Sequence, residues 1–142
     1  MKKNSVAKIR EFNRFYTCII GVVNNHILNS NYSLTEVRTM YEIYHNPNIR
    51  ARQIKELLQV DEGYLSRIIS KLVKQNIIAK KKSKNDGRIN SLSLTKKGEK
   101  IFLQLDQRSS NTIFKLIKHL GEKEQEELIQ HINKIQKLLA IK

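Results

Sequence analysis

The 142-residue sequence has one cysteine, one proline, five glycines and no tryptophan. The lone Cys18 excludes an internal disulfide and any cysteine-cluster metal site. So little proline and glycine argues against a loop-rich or all-β fold, which must turn often. No apolar run approaches the ~20 residues of a membrane-spanning helix. The basic start, Met1-Lys2-Lys3-Asn4-Ser5, leads into no apolar stretch or small-residue cleavage site, so no secretion signal is expected and the cytoplasm is the default location. His26, His45, His119 and His131 include no pair three or four residues apart, so neither a metal nor a cofactor is expected. A glycine-rich phosphate loop, a nucleophile elbow and a paired His/carboxylate motif are all missing, which leaves an enzyme without support.

What is present in excess is positive charge: 27 Lys and Arg against 13 Asp and Glu, net +14. Such a surplus on so short a chain points to a polyanionic partner, nucleic acid before membrane. It is unevenly spread. Residues 61–100 hold eleven basic and four acidic side chains, half of the whole excess, with Lys80-Lys81-Lys82-Ser83-Lys84 the densest piece. Composition alone also admits a solvated lysine-rich surface, so local structure has to decide.

Apolar spacing predicts helices over most of the chain. Ile9, Phe12, Tyr16, Ile19, Val23 and Ile27 form one stripe of a helix over 6–28. Ser33-Leu34-Thr35-Glu36 has the pattern of a capping box and opens a second helix with Val37, Met40, Tyr41 and Tyr44 inward, stopped at Pro47. A short third helix fits 51–58, with Ile54, Leu57 and Leu58 on one face. After the joint Gln59-Val60-Asp61, Asp61 caps a fourth helix to about Lys74 that buries Leu65, Ile68, Ile69 and Leu72. Residues 77–82 then read as a strand, 83–90 as a turn around Asp86-Gly87, and 91–94 as the return strand. Thr95 caps a long helix, 96–120, for which Gly121 is the C-terminal cap, and a last helix spans 122–140.

The expected fold is therefore mainly α with a small β-hairpin wing: a winged helix-turn-helix plus a helical dimerisation layer. The chain reads as a single unit, 1–142, with residues 33–94 the winged lobe and 1–32 and 95–142 the helical region. The physical logic is that the helix after the tight turn fits the major groove, while a basic hairpin reaches the neighbouring groove or backbone. The long terminal helices exceed what so small a lobe can cover, which suggests pairing of two chains.

Asp61-Glu62-Gly63-Tyr64-Leu65-Ser66-Arg67-Ile68-Ile69, the wing triplet Asp86-Gly87-Arg88 and Leu94-Thr95-Lys96-Lys97-Gly98 resemble the MarR family of winged-helix regulators. The D-x-R and L-T-x-x-G pair is the more specific part, and the likeness in helix order and length covers essentially the whole chain. The segments 9–17 and 32–38 are similar to a branch often fused to a GNAT-type acetyltransferase, so the chain reads as a stand-alone member or as the regulator part of a fusion. The resemblance implies a homodimeric, sequence-specific regulator, often a repressor. Its partners would be a pseudo-palindromic double-stranded DNA operator and a small aromatic or anionic effector that releases it. A nonspecific architectural module also fits the charge.

The DNA-contacting candidates are Tyr64, Ser66, Arg67 and Lys71 on the fourth helix and Lys82, Lys84, Asp86 and Arg88 in the wing. Ser66 and Arg67 point away from the Leu65/Ile68/Ile69 stripe. Arg67 suits a guanine or a phosphate, and Lys71 a phosphate. Arg88 matches the minor-groove arginine of the resembled family, with Asp86 orienting it. Tyr16, Arg38, Tyr41 and Tyr44 offer the residue types an aromatic carboxylate needs, but equally those of core tyrosines beside a surface arginine. Cys18, between Thr17 and Ile19, reads as a small buried hydrophobe rather than a redox sensor.

Overall fold

The computed structural model describes residues 3–82 and 90–140, with the side chains of 22–28 also outside the description. Two compact units are present, Met1–Ser109 and Ser110–Lys142.

The first unit begins with helix α1 (Lys3–Leu28), then α2 (Leu34–His45), α3 (Ala51–Leu58) and α4 (Glu62–Lys74). Strands β1 (Ile78–Lys82) and β2 (Asn90–Leu94) form an antiparallel hairpin in which Ile78 faces Leu94 and Lys82 faces Asn90. Helix α5 (Lys96–Ile117) follows, and α6 (Glu122–Leu139) closes the chain.

The two capping motifs form as their chemistry requires. The Glu36 amide donates to Ser33 Oγ at 3.2 Å, and the Ser33 amide donates to Glu36 Oε2 at 3.3 Å. The Tyr64 amide donates to Asp61 Oδ2 at 3.0 Å. Between α3 and α4 the chain turns through Gln59, which sits in the left-handed region with φ 51°. Asn76, with φ 60°, makes the corresponding corner after α4. Neither corner uses glycine.

The core gathers the inner faces of α2, α3 and α4 with the hairpin root: Met40, Ile54, Leu65, Leu72, Ile77, Ile78 and Leu92 are almost wholly buried, as is Phe102 of α5. The hairpin is sewn to the α2–α3 link by a bridge in which the Leu92 amide donates to the Ile49 carbonyl at 2.8 Å. At its base, the Thr95 amide donates to the Ile77 carbonyl at 2.9 Å. The Thr95 hydroxyl donates to the Asn76 carbonyl at 2.7 Å and accepts from the Gly98 amide at 2.9 Å. Gly98 lies so close to Ile77 that a Cβ there would stand 2.1 Å from the Ile77 oxygen. The L-T-x-x-G motif is thus a knot that returns the hairpin to the end of α4.

Four inward expectations fail. Tyr41 and Tyr44 are exposed. A tyrosine can pack its ring and leave its hydroxyl in water. Tyr44 leans on buried Phe102 with ring centroids 4.9 Å apart, and Tyr41 meets Phe102 edge-on at 6.2 Å. Leu57 is exposed because α3 buries Ile54 and Leu58, and Leu57 lies on the opposite flank of Ile54 from Leu58. Cys18 is exposed rather than buried in the single chain, because the α1 stripe around it is uncovered: Ile9, Phe12 and Tyr16 all stand open.

In the second unit, α5 ends at Ile117, three residues short of the expected Leu120. Gly121 proves to be the N-terminal cap of α6, in extended backbone, rather than the C-terminal cap of α5. Its amide donates to Glu124 Oε2 at 2.9 Å, so the acidic first turn of α6 closes its own start. No residue of α6 is buried, and Ile129, Ile132, Leu138 and Leu139 lie open along it. Among the described residues, no helix is long and apolar enough to cross a membrane.

The Gly98→Ala variant is expected to lose about 3 kcal/mol of stability, because its methyl must displace backbone rather than a flexible side chain. Urea unfolding followed by circular dichroism reads this directly.

Candidate nucleic-acid interface

The exposed side of the lobe is built around α4. Its period buries Leu65, Ile68, Ile69 and Leu72, so Tyr64, Ser66, Arg67, Ser70 and Lys74 are left on the outer face. Asp61 caps the free amides at its start, and only Glu62 adds acid to the first turn.

Beside it runs β1, in which Ala79, Lys80, Lys81 and Lys82 are all exposed. Alternation along a strand puts Lys80 and Lys82 on one face and Lys81 on the other. Lys80 and Asn90, the partner of Lys82, line an open groove of about 530 Å³ shared with Arg52 and Lys55 of α3 and Glu62 and Ser66 of α4. Three cations face one carboxylate there. Lys55 meets Glu62 at 3.8 Å and Arg52 meets Glu56 at 3.7 Å. Both pairs are solvent-exposed and hold their partners weakly. A groove with this charge and this open form suits a phosphate backbone rather than an enclosed small molecule.

Of the sequence candidates, Tyr64, Ser66 and Arg67 are exposed on α4, and Lys82 is exposed at the end of β1 opposite Asn90. Lys84, Asp86 and Arg88 lie outside the described residues. Lys71 is different. Its ammonium donates to Glu36 Oε1 at 2.7 Å, reaching across to α2. Arg52, Lys55 and Lys80 join the charged side without having been singled out. Lys80 belonged to the visible lysine run, whereas the two α3 cations carry no sequence signal beyond lying off the Ile54/Leu58 face.

The aromatic residues divide. Tyr41, Tyr44, His45 and Phe102 gather, with the Tyr41 and His45 rings 4.2 Å apart. Tyr16 instead stacks on Phe12 at 5.6 Å. Among the described residues, no group of three His, Cys, Asp or Glu side chains is arranged to hold a metal ion.

Residues 32–89 match the MarR family. The HTH-type transcriptional regulator BilQ of Clostridium symbiosum (strain WAL-14163) is 30% identical over 91 residues, which are 64% of this chain and 63% of that protein. The matched part thus spans less than two thirds of that relative. The HTH-type transcriptional regulator MhqR of Bacillus subtilis (strain 168) is 22% identical over 135 residues, 95% of this chain and 93% of that one. Among solved structures, Streptococcus pneumoniae FabT in complex with DNA has a TM-score of 0.81 at 21% identity, covering 94% of this chain and 96% of that chain. The apo form of Escherichia coli MarR has a TM-score of 0.75 at 22% identity, covering 89% and 94%. These structural likenesses establish the winged-helix fold, which among the described residues has six helices and a two-stranded hairpin.

Replacing Asp61 by Ala removes the side-chain acceptor of the Tyr64 amide at the start of α4 and is expected to cost about 1 kcal/mol of stability. Thermal melting of the variant beside the parent chain measures it.

Proposed function

We propose that the chain belongs to the MarR family and is a sequence-specific double-stranded-DNA-binding transcriptional regulator acting as a homodimer. The observation that carries this reading is the outer face of α4. It presents Tyr64, Ser66 and Arg67 at a capped helix start, flanked by the basic groove of Arg52, Lys55 and Lys80. A major groove admits such a helix, and Arg67 has the planar fork that a guanine edge or a phosphate accepts. Lys82, with Lys84, Asp86 and Arg88 of the segment that follows it in sequence, would extend the contact to backbone and minor groove. The chain would work in the cytoplasm.

The dimer reading is supported by the uncovered apolar positions of α1, and separately by those of α6, none of whose residues is buried. A two-fold protein matches a pseudo-palindromic operator whose half-sites are about one helical turn apart. Occupancy of a promoter by such a dimer obstructs polymerase, which is repression. The half-exposed ring cluster of Tyr41, Tyr44 and His45 over Phe102 supports a small aromatic or anionic effector, since its open rings offer a surface on which a flat aromatic group would stack.

The test is fluorescence anisotropy on the duplex upstream of the chain's own gene against a scrambled duplex, at near-physiological salt. A specificity ratio of about a thousand or more is expected, and equal weak binding to both would leave a nonspecific basic module. Arg67→Ala and Arg88→Ala are each expected to weaken specific binding at least ~tenfold with the fold retained by circular dichroism. Sedimentation of Ile132→Glu is expected to show monomer where the parent chain shows dimer, since a charge on the open face of α6 opposes its burial.

A further inference from the structure

Among the described residues two ion pairs tie α4 to the rest of the lobe, the exposed Lys55–Glu62 pair at 3.8 Å and a closer one made by a carboxylate that is nearly buried. Glu36 keeps 8% of its side chain exposed, against 48% for Lys71. Both carboxylate oxygens are in use. Oε2 accepts from the Ser33 amide at 3.3 Å, inside the capping box that starts α2, and Oε1 accepts from Lys71 Nζ at 2.7 Å. Lys71 lies in the last turns of α4, 35 residues away in sequence. One carboxylate therefore holds the start of α2 and the end of α4 together. Drawing Lys71 away to a DNA phosphate would leave Glu36 buried beside a single amide, which costs more than one exposed phosphate contact returns.

We infer that Glu36 and Lys71 are positioning residues for DNA binding: their bridge sets the angle at which α4 presents Tyr64, Ser66 and Arg67, and Lys71 is a tie and not a phosphate ligand. This rests on the DNA-binding reading above. It carries an unusual sign. Removing an acid from a protein that binds a polyanion strengthens binding through the overall field. Removing Glu36 weakens it, because the helix loses its seat.

The experiment compares Glu36→Gln, Lys71→Gln, the double variant and Lys71→Arg with the parent chain, on the specific duplex over a series of salt concentrations. Each Gln variant is expected to weaken binding about tenfold, the double variant no more than either single one, and Lys71→Arg to restore most of the affinity. The slope of log affinity against log salt stays that of the parent. An unchanged or tighter Glu36→Gln overturns the inference, as does a slope shallower by about 0.9 in Lys71→Gln, the mark of a lost phosphate contact. Should Glu36→Gln fail to fold by thermal melting, Lys71→Gln, whose side chain is half exposed, carries the test alone. Failure of the DNA reading itself shows differently: the parent chain and Arg67→Ala then bind the specific and scrambled duplexes alike. In that case hydrogen exchange of the free chain decides. Faster exchange of the α4 amides in Glu36→Gln supports the bridge, and equal exchange overturns it.

Discussion

The lobe depends on one close approach. Gly98 brings its backbone against the Ile77 carbonyl, where no side chain fits, and the Thr95 hydroxyl joins the two segments from both sides. This contact fixes where β1 begins, where β2 ends and where α5 starts, all within a few residues. The hairpin then has a root, and Ile77, Ile78 and Leu92 can fill the floor of the core beneath α4. With the floor set, the buried stripe of α4 has one seat, and its polar face is left outside.

Charge follows from that seating rather than from any single motif. The lysines of β1 are exposed because the strand leaves the core after Ile78. The arginine and lysine of α3 come to the same side because Ile54 and Leu58 claim the inner face of a helix only eight residues long. Two short elements that look unremarkable alone thus supply the three cations that line the groove.

Much of the fold was legible because its signals are local. Ser33-x-x-Glu36 and Asp61 mark helix starts through bonds spanning three residues, and the α4 stripe and the strand alternation have fixed periods. What escaped depends on distant neighbours. Lys71 reads as a free cation until Glu36, 35 residues earlier, is brought to it. Tyr41 and Tyr44 fit an inward pattern, yet their partner Phe102 comes from another helix and takes the buried place itself. Gly121 shows a further limit: glycine suits either end of a helix, and Glu124, whose carboxylate takes the Gly121 amide, tips it to the start of α6. Of the candidate site, the α4 residues were readable from periodicity, whereas the α3 cations needed the packed lobe.

The corner at Gln59 has one more consequence. A left-handed residue other than glycine is strained, by about 1 kcal/mol, and persists only where its surroundings hold it. Glycine would relieve that strain, but it would also give the unfolded chain more freedom to lose. With glutamine there and asparagine at Asn76, the entropy of fixing both ends of α4 is lost during folding, not during association. The helix therefore meets its partner already ordered, and little of the attraction is spent on arranging it.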